Sequence, residues 1–222
     1  MKIREVAIDT TDLDAAAEFY RDVLRLPVAA EPERVTVQVG FSKLALTRGA
    51  PFDGVHHLAF GISPDDFELA QNWVRGRLDT IEFNGSDVID GPPGWDSRSV
   101  YFRGPDGIVL ELIARQADAD APASTGDAPR LLSISEVGIG VPDVAQAVRE
   151  LAETYGLQAF TPRLPSFTPV GDHDGLLILV DPERIWFPTQ ADFPARASVA
   201  VRIDAPEDGG KLMLTAAAHL ES

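Results

Sequence analysis

The strongest constraint on the fold of this chain is an internal repeat. Residues 134–157 (ISEVGIGVPDVAQAVRELAETYGL) align without a gap on residues 3–26 (IREVAIDTTDLDAAAEFYRDVLRL), and Glu136 falls on Glu5. Both segments start with alternating apolar residues typical of a strand and continue with the three- and four-residue apolar spacing of a helix. A match of this length indicates a repeated structural module, so we expect a fold that joins copies of one unit.

A further copy of the pattern lies between these two segments. Residues 55–62 (VHHLAFGI) predict a strand, and residues 64–78 predict a helix with acidic residues in its first turn. The other strand-like runs are residues 34–39, 43–47, 87–89, 97–103, 108–114, 175–180, 185–188 and 198–203. The dipeptide Asp106-Gly107 between two of them is typical of a β-hairpin.

Residues 116–130 have the composition of a linker. The segment QADADAPASTGDAPR is small, acidic and contains proline, with no large apolar residue. We therefore expect an α+β protein in which residues 1–115 pair two βαβββ modules into a complete domain and residues 131–222 form a third, partial module. A lone module leaves one face of its sheet uncovered, so we expect that face to pack on the first domain or on a second chain in a homodimer.

The charge and cysteine content exclude several classes of function. The 222 residues include 35 Asp and Glu, 19 Lys and Arg and no cysteine, which gives a net charge of −16. No basic face is visible for nucleic acid or anionic membranes, and thiolate metal sites are excluded. Met1 leads directly into charged residues, and no apolar run reaches the ~18 residues of a membrane span, so a cytoplasmic location is expected.

Three motifs carry a resemblance to a known family. They are DLDAAAEFY at residues 12–20, HHLAF at 56–60 and YFRGPDGIVLELIA at 101–114. They resemble the vicinal oxygen chelate superfamily, which includes glyoxalase I, fosfomycin resistance thiol transferases, methylmalonyl-CoA epimerase, extradiol dioxygenases and bleomycin resistance proteins. The resemblance is strong over 1–115 and weaker over 131–157, and it implies paired modules whose curved sheets enclose a metal site.

The resemblance also implies the metal ligands. The first-strand ligand precedes a V/L-A-I/F triplet, which selects Glu5 and His57, and the last-strand ligand is Glu111 in VLELIA. Ala45 occupies the place that corresponds to Glu111 in the first module, so a fourth protein ligand is missing. One imidazole and two carboxylates suit one divalent ion such as Mn²⁺, Fe²⁺, Ni²⁺ or Zn²⁺.

Each of these residues also has a purely structural interpretation. Glu5 is then an edge-strand carboxylate, His57 a hydrogen-bonded core histidine and Glu111 the partner of an arginine. Glu136 matches Glu5, but its own module shows no His or Glu in the equivalent strands, so no second metal site is expected there. His56 lies on the opposite face of its strand from His57, and we expect it to be packed beneath the helix.

The segment PPGWDSRSVYFR suggests a substrate wall. It contains Trp95, Arg98, Tyr101 and Arg103, and an arginine there would meet a carboxylate or other oxyanion of the substrate. The alternative is a strand-edge arginine beside a packed tyrosine. Arg98 and Arg103 lie on opposite faces of the strand, so at most one of them should face the cavity.

Two classes of function remain open. The first is a metal-dependent enzyme that chelates vicinal oxygens of a small metabolite for lyase, epimerase, group-transfer or dioxygenase chemistry. A single histidine among the expected ligands makes ring-cleaving dioxygenase chemistry the less favoured of these. The second class is a metal-free protein of the bleomycin resistance type that binds or sequesters a small molecule.

Overall fold

The structure is a computed structural model that describes residues 1–222. It contains fifteen strands and three α-helices. The strands are β1 Lys2–Thr10, β2 Val28–Glu31, β3 Arg34–Val39, β4 Ser42–Arg48, β5 His57–Ile62, β6 Thr80–Ile81, β7 Ile89–Asp90, β8 Ser97–Arg103, β9 Val109–Arg115, β10 Leu131–Gly140, β11 Phe167–Asp172, β12 Gly175–Val180, β13 Val199–Asp204, β14 Lys211–Met213 and β15 Ala218–Glu221. The helices are α1 Leu13–Glu18, which continues into a π-helical turn, α2 Phe67–Arg75 and α3 Val144–Tyr155.

The first helix of each repeated segment begins in the same way. The Asp12 carboxylate accepts hydrogen bonds from the backbone N–H groups of Asp14 and Ala15 at the start of α1. Asp143, at the aligned position, accepts one from the Gln146 N–H at the start of α3. An aspartate satisfies helix N–H groups that have no partner within the helix, so both helices begin at the same position of the repeat.

The strands form two sheets, and each sheet joins distant parts of the chain. One sheet has the order β14-β15-β13-β1-β4-β3-β2, and the other has the order β11-β12-β10-β5-β9-β8-β6, with β7 paired to β8. We call these the first and the second sheet. In the first sheet β1 runs antiparallel to β13, and in the second sheet β5 runs antiparallel to β10. The module at residues 2–48 therefore joins the C-terminal strands, and the module at 57–115 joins the one at 131–180.

This pairing corrects the expected division of the chain. The two modules within 1–115 lie in different sheets, and residues 131–222 contribute strands to both sheets. The repeat identifies the modules, but it does not say which modules pair through their first strands. That pairing depends on tertiary contacts between strands far apart in sequence. Because β10 pairs with β5 of the same chain, the third module has a partner without a second chain.

The helices and both sheets share one hydrophobic core. A single cluster of 45 buried residues draws on both sheets and on all three helices. The predicted linker packs against this core through Ala128, and it is held where the Asp66 carboxylate accepts hydrogen bonds from the N–H groups of Ser124 and Arg130. No helix is long and apolar enough to cross a membrane.

One predicted strand is wrong. Residues 185–188 form no strand and belong to the loop between β12 and β13. The run of apolar and aromatic residues favours a strand, but Pro188 has no N–H to donate to a ladder. The loop is fixed by a side chain instead, because the Trp186 indole Nε1–H donates to the Val55 carbonyl at 3.1 Å.

Candidate metal centre and cavity

Three neighbouring strands of the second sheet bring together one histidine and two glutamates. His57 lies on β5, Glu111 on β9 and Glu136 on β10, and one ligand atom from each lies within 4.8 Å of the others. Glu111 and Glu136 both lie opposite Ala59, one on each side of the central strand. The methyl group of Ala59 leaves room above the sheet for an ion between the two carboxylates.

The His57 ring presents its Nε2 atom to the cluster. Its Nδ1 lies 3.2 Å from the Val109 carbonyl, and because a carbonyl only accepts, Nδ1 carries the proton. Nε2 is therefore left with a free lone pair, 3.6 Å from Glu111 Oε2. Burial lowers the pKa of His57, which favours the neutral form that binds metals.

The Glu111 carboxyl is held by one oxygen and free at the other. The Ser99 hydroxyl donates to Oε1, and Oε2 faces His57. Burial, reinforced by the negative charge of Glu136, raises the pKa of Glu111 to about 8 from its usual value near 4.5. A cation between the two carboxylates would favour the charged form of both.

Glu136 is clamped by a buried arginine. The Arg115 guanidinium donates from Nη2 to Glu136 Oε1 and from Nη1 to Ser135 Oγ at 2.7 Å. Arg115 is only 1% exposed. Each of the three candidate ligands thus has one polar atom bound by a neighbour, which orients the ligand in the way that neighbours of metal ligands commonly do.

The donor set fits a divalent cation. In the form that binds metal, both carboxylates are ionised, and together with Arg115 they carry one uncompensated negative charge in a buried space. A divalent cation would change this net charge to a single positive charge. The ligands are oxygen and imidazole nitrogen without thiolate, since the chain has no cysteine. This set suits Mn²⁺, Fe²⁺, Ni²⁺ or Zn²⁺.

A fourth protein ligand is absent from the centre. Glu111 lies opposite Ala59, and Ile178 lies opposite Gly138, the residue of the repeat that aligns with Ala59. Ile178 therefore occupies the place equivalent to Glu111 and presents an apolar side chain to the cavity. Three protein ligands leave coordination positions for substrate oxygens or water, the arrangement of catalytic rather than structural metal sites.

The cluster lies in a cavity with a volume of about 620 Å³. That volume is within the range of pockets for small organic ligands. Its walls are mainly apolar and aromatic, including Ile89, Trp95, Ile113, Phe167, Ile178 and Phe187. Arg184 is the one Arg or Lys side chain that lines it.

Trp186 covers the imidazole of His57. The two rings lie 5.3 Å apart between centroids, and Gly138 makes this approach possible. A Cβ atom at Gly138 would lie 2.5 Å from the Trp186 ring and 3.1 Å from the His57 Cβ. Trp186 is not among the predicted site residues, because it lies in the loop that we predicted as a strand.

The structure does not bring Glu5 to this centre. Glu5 lies on β1 in the first sheet, where it accepts hydrogen bonds from Arg34 at 2.7 Å and Arg202 at 3.2 Å. The expectation that Glu5 lies beside His57 and Glu111 is therefore wrong, because equivalent positions of two modules share a site only when those modules pair.

Glu136 takes the place in the cluster that we expected for Glu5. Glu136 was not an expected ligand, because the third module offers no His or Glu partner of its own. Its partners come from the second module, across the antiparallel pairing of β5 and β10. The alignment of Glu136 with Glu5 in the repeat was the sequence signal that could have identified Glu136 as a ligand.

The four residues of the predicted substrate wall separate into two groups. Trp95 and Tyr101 line the cavity. Arg98 faces away, with its guanidinium 4.3 Å from the Phe67 ring centroid, and Arg103 forms an ion pair with Asp192. Neither arginine lines the cavity, so the prediction that one of them would meet an oxyanion of the substrate is wrong.

His56 lies on the other face of its strand, as predicted. It is buried, and its ring lies 5.2 Å from that of Phe52. Burial lowers its pKa to about 4, so it is a neutral packed residue at ordinary pH.

The second sheet pairs two copies of the repeated module and carries a buried imidazole and two carboxylates at their junction. Metallothiol transferase FosB from Staphylococcus haemolyticus is 30% identical over 118 residues, which cover 50% of this chain and 81% of that protein. FosB from Staphylococcus epidermidis is 25% identical over 119 residues and 79% of its length. No family profile matches the chain.

Solved structures share the fold over most of the chain. Glyoxalase I from Zea mays has a TM-score of 0.59 at 17% identity, covering 90% of this chain and 74% of that one. A putative dioxygenase from Bacillus subtilis has a TM-score of 0.59 at 14% identity, covering 92% and 70%. The chain belongs to the vicinal oxygen chelate superfamily.

Proposed function

We propose that this protein is a metal-dependent enzyme that chelates two adjacent oxygens of a small organic substrate on an ion held by His57, Glu111 and Glu136. The observation that carries the proposal is the convergence of the three ligand atoms within 4.8 Å in the wall of the cavity. A bound divalent ion would supply Lewis acidity to the chelated oxygens, which stabilises negative charge that develops there.

The residues of the chain itself bind and orient the substrate. Trp186 and the apolar walls exclude water from the centre and strengthen the electrostatic interactions there. The Tyr101 hydroxyl lies near Glu111, and burial, together with the carboxylates, raises its pKa. Tyr101 therefore stays protonated and holds a proton beside the position of the chelated oxygens. This chemistry is compatible with lyase, epimerase, group-transfer or dioxygenase reactions.

Metal analysis tests the proposal. Protein incubated with Mn²⁺, Fe²⁺, Ni²⁺ or Zn²⁺ and desalted should retain close to one ion per chain for at least one of these metals. His57→Ala, Glu111→Gln and Glu136→Gln should each abolish retention. Glu5→Gln is the matched control, since Glu5 aligns with Glu136 in the repeat but lies in the other sheet, and it should retain metal as the wild type does.

Absence of metal under all four conditions would reject the enzyme and favour the metal-free binding protein. Equal loss in Glu5→Gln would also contradict the assignment of the ligands.

The homodimer and the cytoplasmic location stay predictions. Size-exclusion chromatography with light scattering distinguishes a species near the chain mass of 23.9 kDa from one of twice that mass. A small-molecule substrate is part of the proposal, since the cavity has the volume and apolar walls of a site for one.

A further inference from the structure

Three neighbouring side chains have buried polar atoms without hydrogen-bond partners, and two of these side chains, Trp95 and Ser97, line the cavity. Of the five such atoms in the protein, three are Trp95 Nε1, Ser97 Oγ and Arg115 Nε. The three residues are only 7%, 8% and 1% exposed. Buried donors without an acceptor are costly and uncommon in folded proteins, so three in one place point to an acceptor that the chain itself does not provide.

The three residues are neighbours in space. Ser97 on β8 lies directly opposite Arg115 on β9. The central carbon of the Arg115 guanidinium lies 5.8 Å from the centroid of the Trp95 ring. Trp95 and Ser97 both line the cavity. We call Trp95, Ser97 and Arg115 the donor cluster.

The donor cluster extends away from the metal centre along the sheet: the Arg115 guanidinium contacts Glu136, and Ser97 lies further along. Tyr101 lies opposite Glu111, and Ser97 is four residues earlier on the same strand and on the same face. At about 3.3 Å per residue, the two positions are ~13 Å apart along the strand. One elongated ligand in the cavity would contact both.

A glycine keeps the Ser97 hydroxyl in its place. A Cβ atom at Gly91 would lie 2.2 Å from Ser97 Oγ and 3.2 Å from Trp95 Cβ. Gly91 also lines the cavity. Any larger residue would displace the hydroxyl, so the backbone here accommodates a polar group that makes no hydrogen bond within the protein.

We propose that the donor cluster is a subsite for an uncharged oxygen acceptor, a ketone, ester or amide carbonyl, at the far end of the substrate. This inference rests on the proposed function for the near end, where the metal chelates the substrate. Trp95 Nε1 and Arg115 Nε can only donate and the Ser97 hydroxyl can also donate, so a ligand atom that satisfies them must accept. The charge of Arg115 is already balanced by Glu136, which favours a neutral carbonyl over a second carboxylate. The apolar walls contact the body between the two ends.

Matched chelating probes test the subsite. Phenyl hydroxamic acids bind metal through two adjacent oxygens, and meta and para members carry acetyl, isopropyl or carboxylate groups at the far end. Two net hydrogen bonds should make the best acetyl member bind about tenfold more tightly than its isopropyl counterpart. The carboxylate member should bind more weakly than the acetyl member.

The variants remove one donor each and leave the metal ligands in place. Ser97→Ala and Trp95→Phe should each reduce the preference for acetyl over isopropyl several-fold without changing affinity for the isopropyl member by more than about twofold. Trp73→Phe is the control, because Trp73 Nε1 is also buried without a partner but lies outside this cavity. It should keep the wild-type preference.

A measurement on metal-free protein separates this inference from the proposed function. The Trp95 indole N–H resonance, assigned by its loss in Trp95→Phe, should shift with acetyl members and not with isopropyl members, even after chelation of all metal. If metal never binds but this shift occurs, the proposed function fails and the subsite stands. If acetyl and isopropyl members act alike, if no member shifts the resonance, or if the preference survives in both variants, the subsite is rejected.

Discussion

Arg115→Met tests the buried ion pair that orients Glu136. Arg115 is almost fully buried and donates to Glu136 and Ser135, so its removal leaves a buried carboxylate without its counter-charge and close to Glu111. Breaking a buried pair on one side costs about 3–5 kcal/mol. At ~2–4 °C per kcal/mol for a chain of this size, we expect the melting temperature of the metal-free protein to fall by roughly 6–20 °C.

The assay is urea unfolding in EDTA, followed by tryptophan fluorescence and circular dichroism. The double variant Arg115→Met/Glu136→Gln should recover most of the lost free energy of unfolding, because it removes the uncompensated charge as well as its partner. Arg34→Met is the control. Arg34 binds Glu5 in a half-exposed pair, so its loss should cost less than about 1 kcal/mol.

Two results would refute this reasoning. One is a loss below ~1 kcal/mol for Arg115→Met, comparable to the control. The other is a double variant as unstable as the single variant, which would show that packing of the arginine side chain, rather than the charge of Glu136, determines the effect.

Three further predictions concern the metal centre. Because the pKa of Glu111 is raised to about 8, the folded metal-free protein binds more protons than the unfolded chain, so its stability should fall as the pH rises from ~4.5 to 8. Glu111→Gln should weaken the pH dependence of the urea midpoint over this range, and an unchanged dependence would contradict the assignment. Gly138→Ala should push the Trp186 ring away from His57, lower metal affinity at least several-fold and cost about 1–3 kcal/mol of stability. A variant with the metal affinity and melting temperature of the wild type would show that the ring is not constrained there. Ile178→Glu should add a fourth ligand, so metal should bind more tightly, and the chelating hydroxamates should bind more weakly because a coordination position is taken. Weaker metal binding together with tighter hydroxamate binding would disprove the equivalence of Ile178 and Glu111.

Much of the local structure follows from the sequence. The strand Arg34–Val39 has the predicted bounds, and the helices that follow the first strands of the repeat are present at α1 and α3. The opposite faces of His56 and His57 also follow, because side chains alternate along a strand. These features depend on residues close together in the chain, whose backbone preferences and periodicity are visible without the partner strands.

The composition of the metal centre depends on which strands become neighbours. The sequence indicates a repeated module and the superfamily, and it selects His57 and Glu111 as candidate ligands. Only the tertiary structure replaced Glu5 with Glu136, because aligned positions are chemically equivalent in every module but meet only where first strands pair. The pairing of β5 with β10, and of β1 with β13, depends on packing of the whole core and has no signature within any one module.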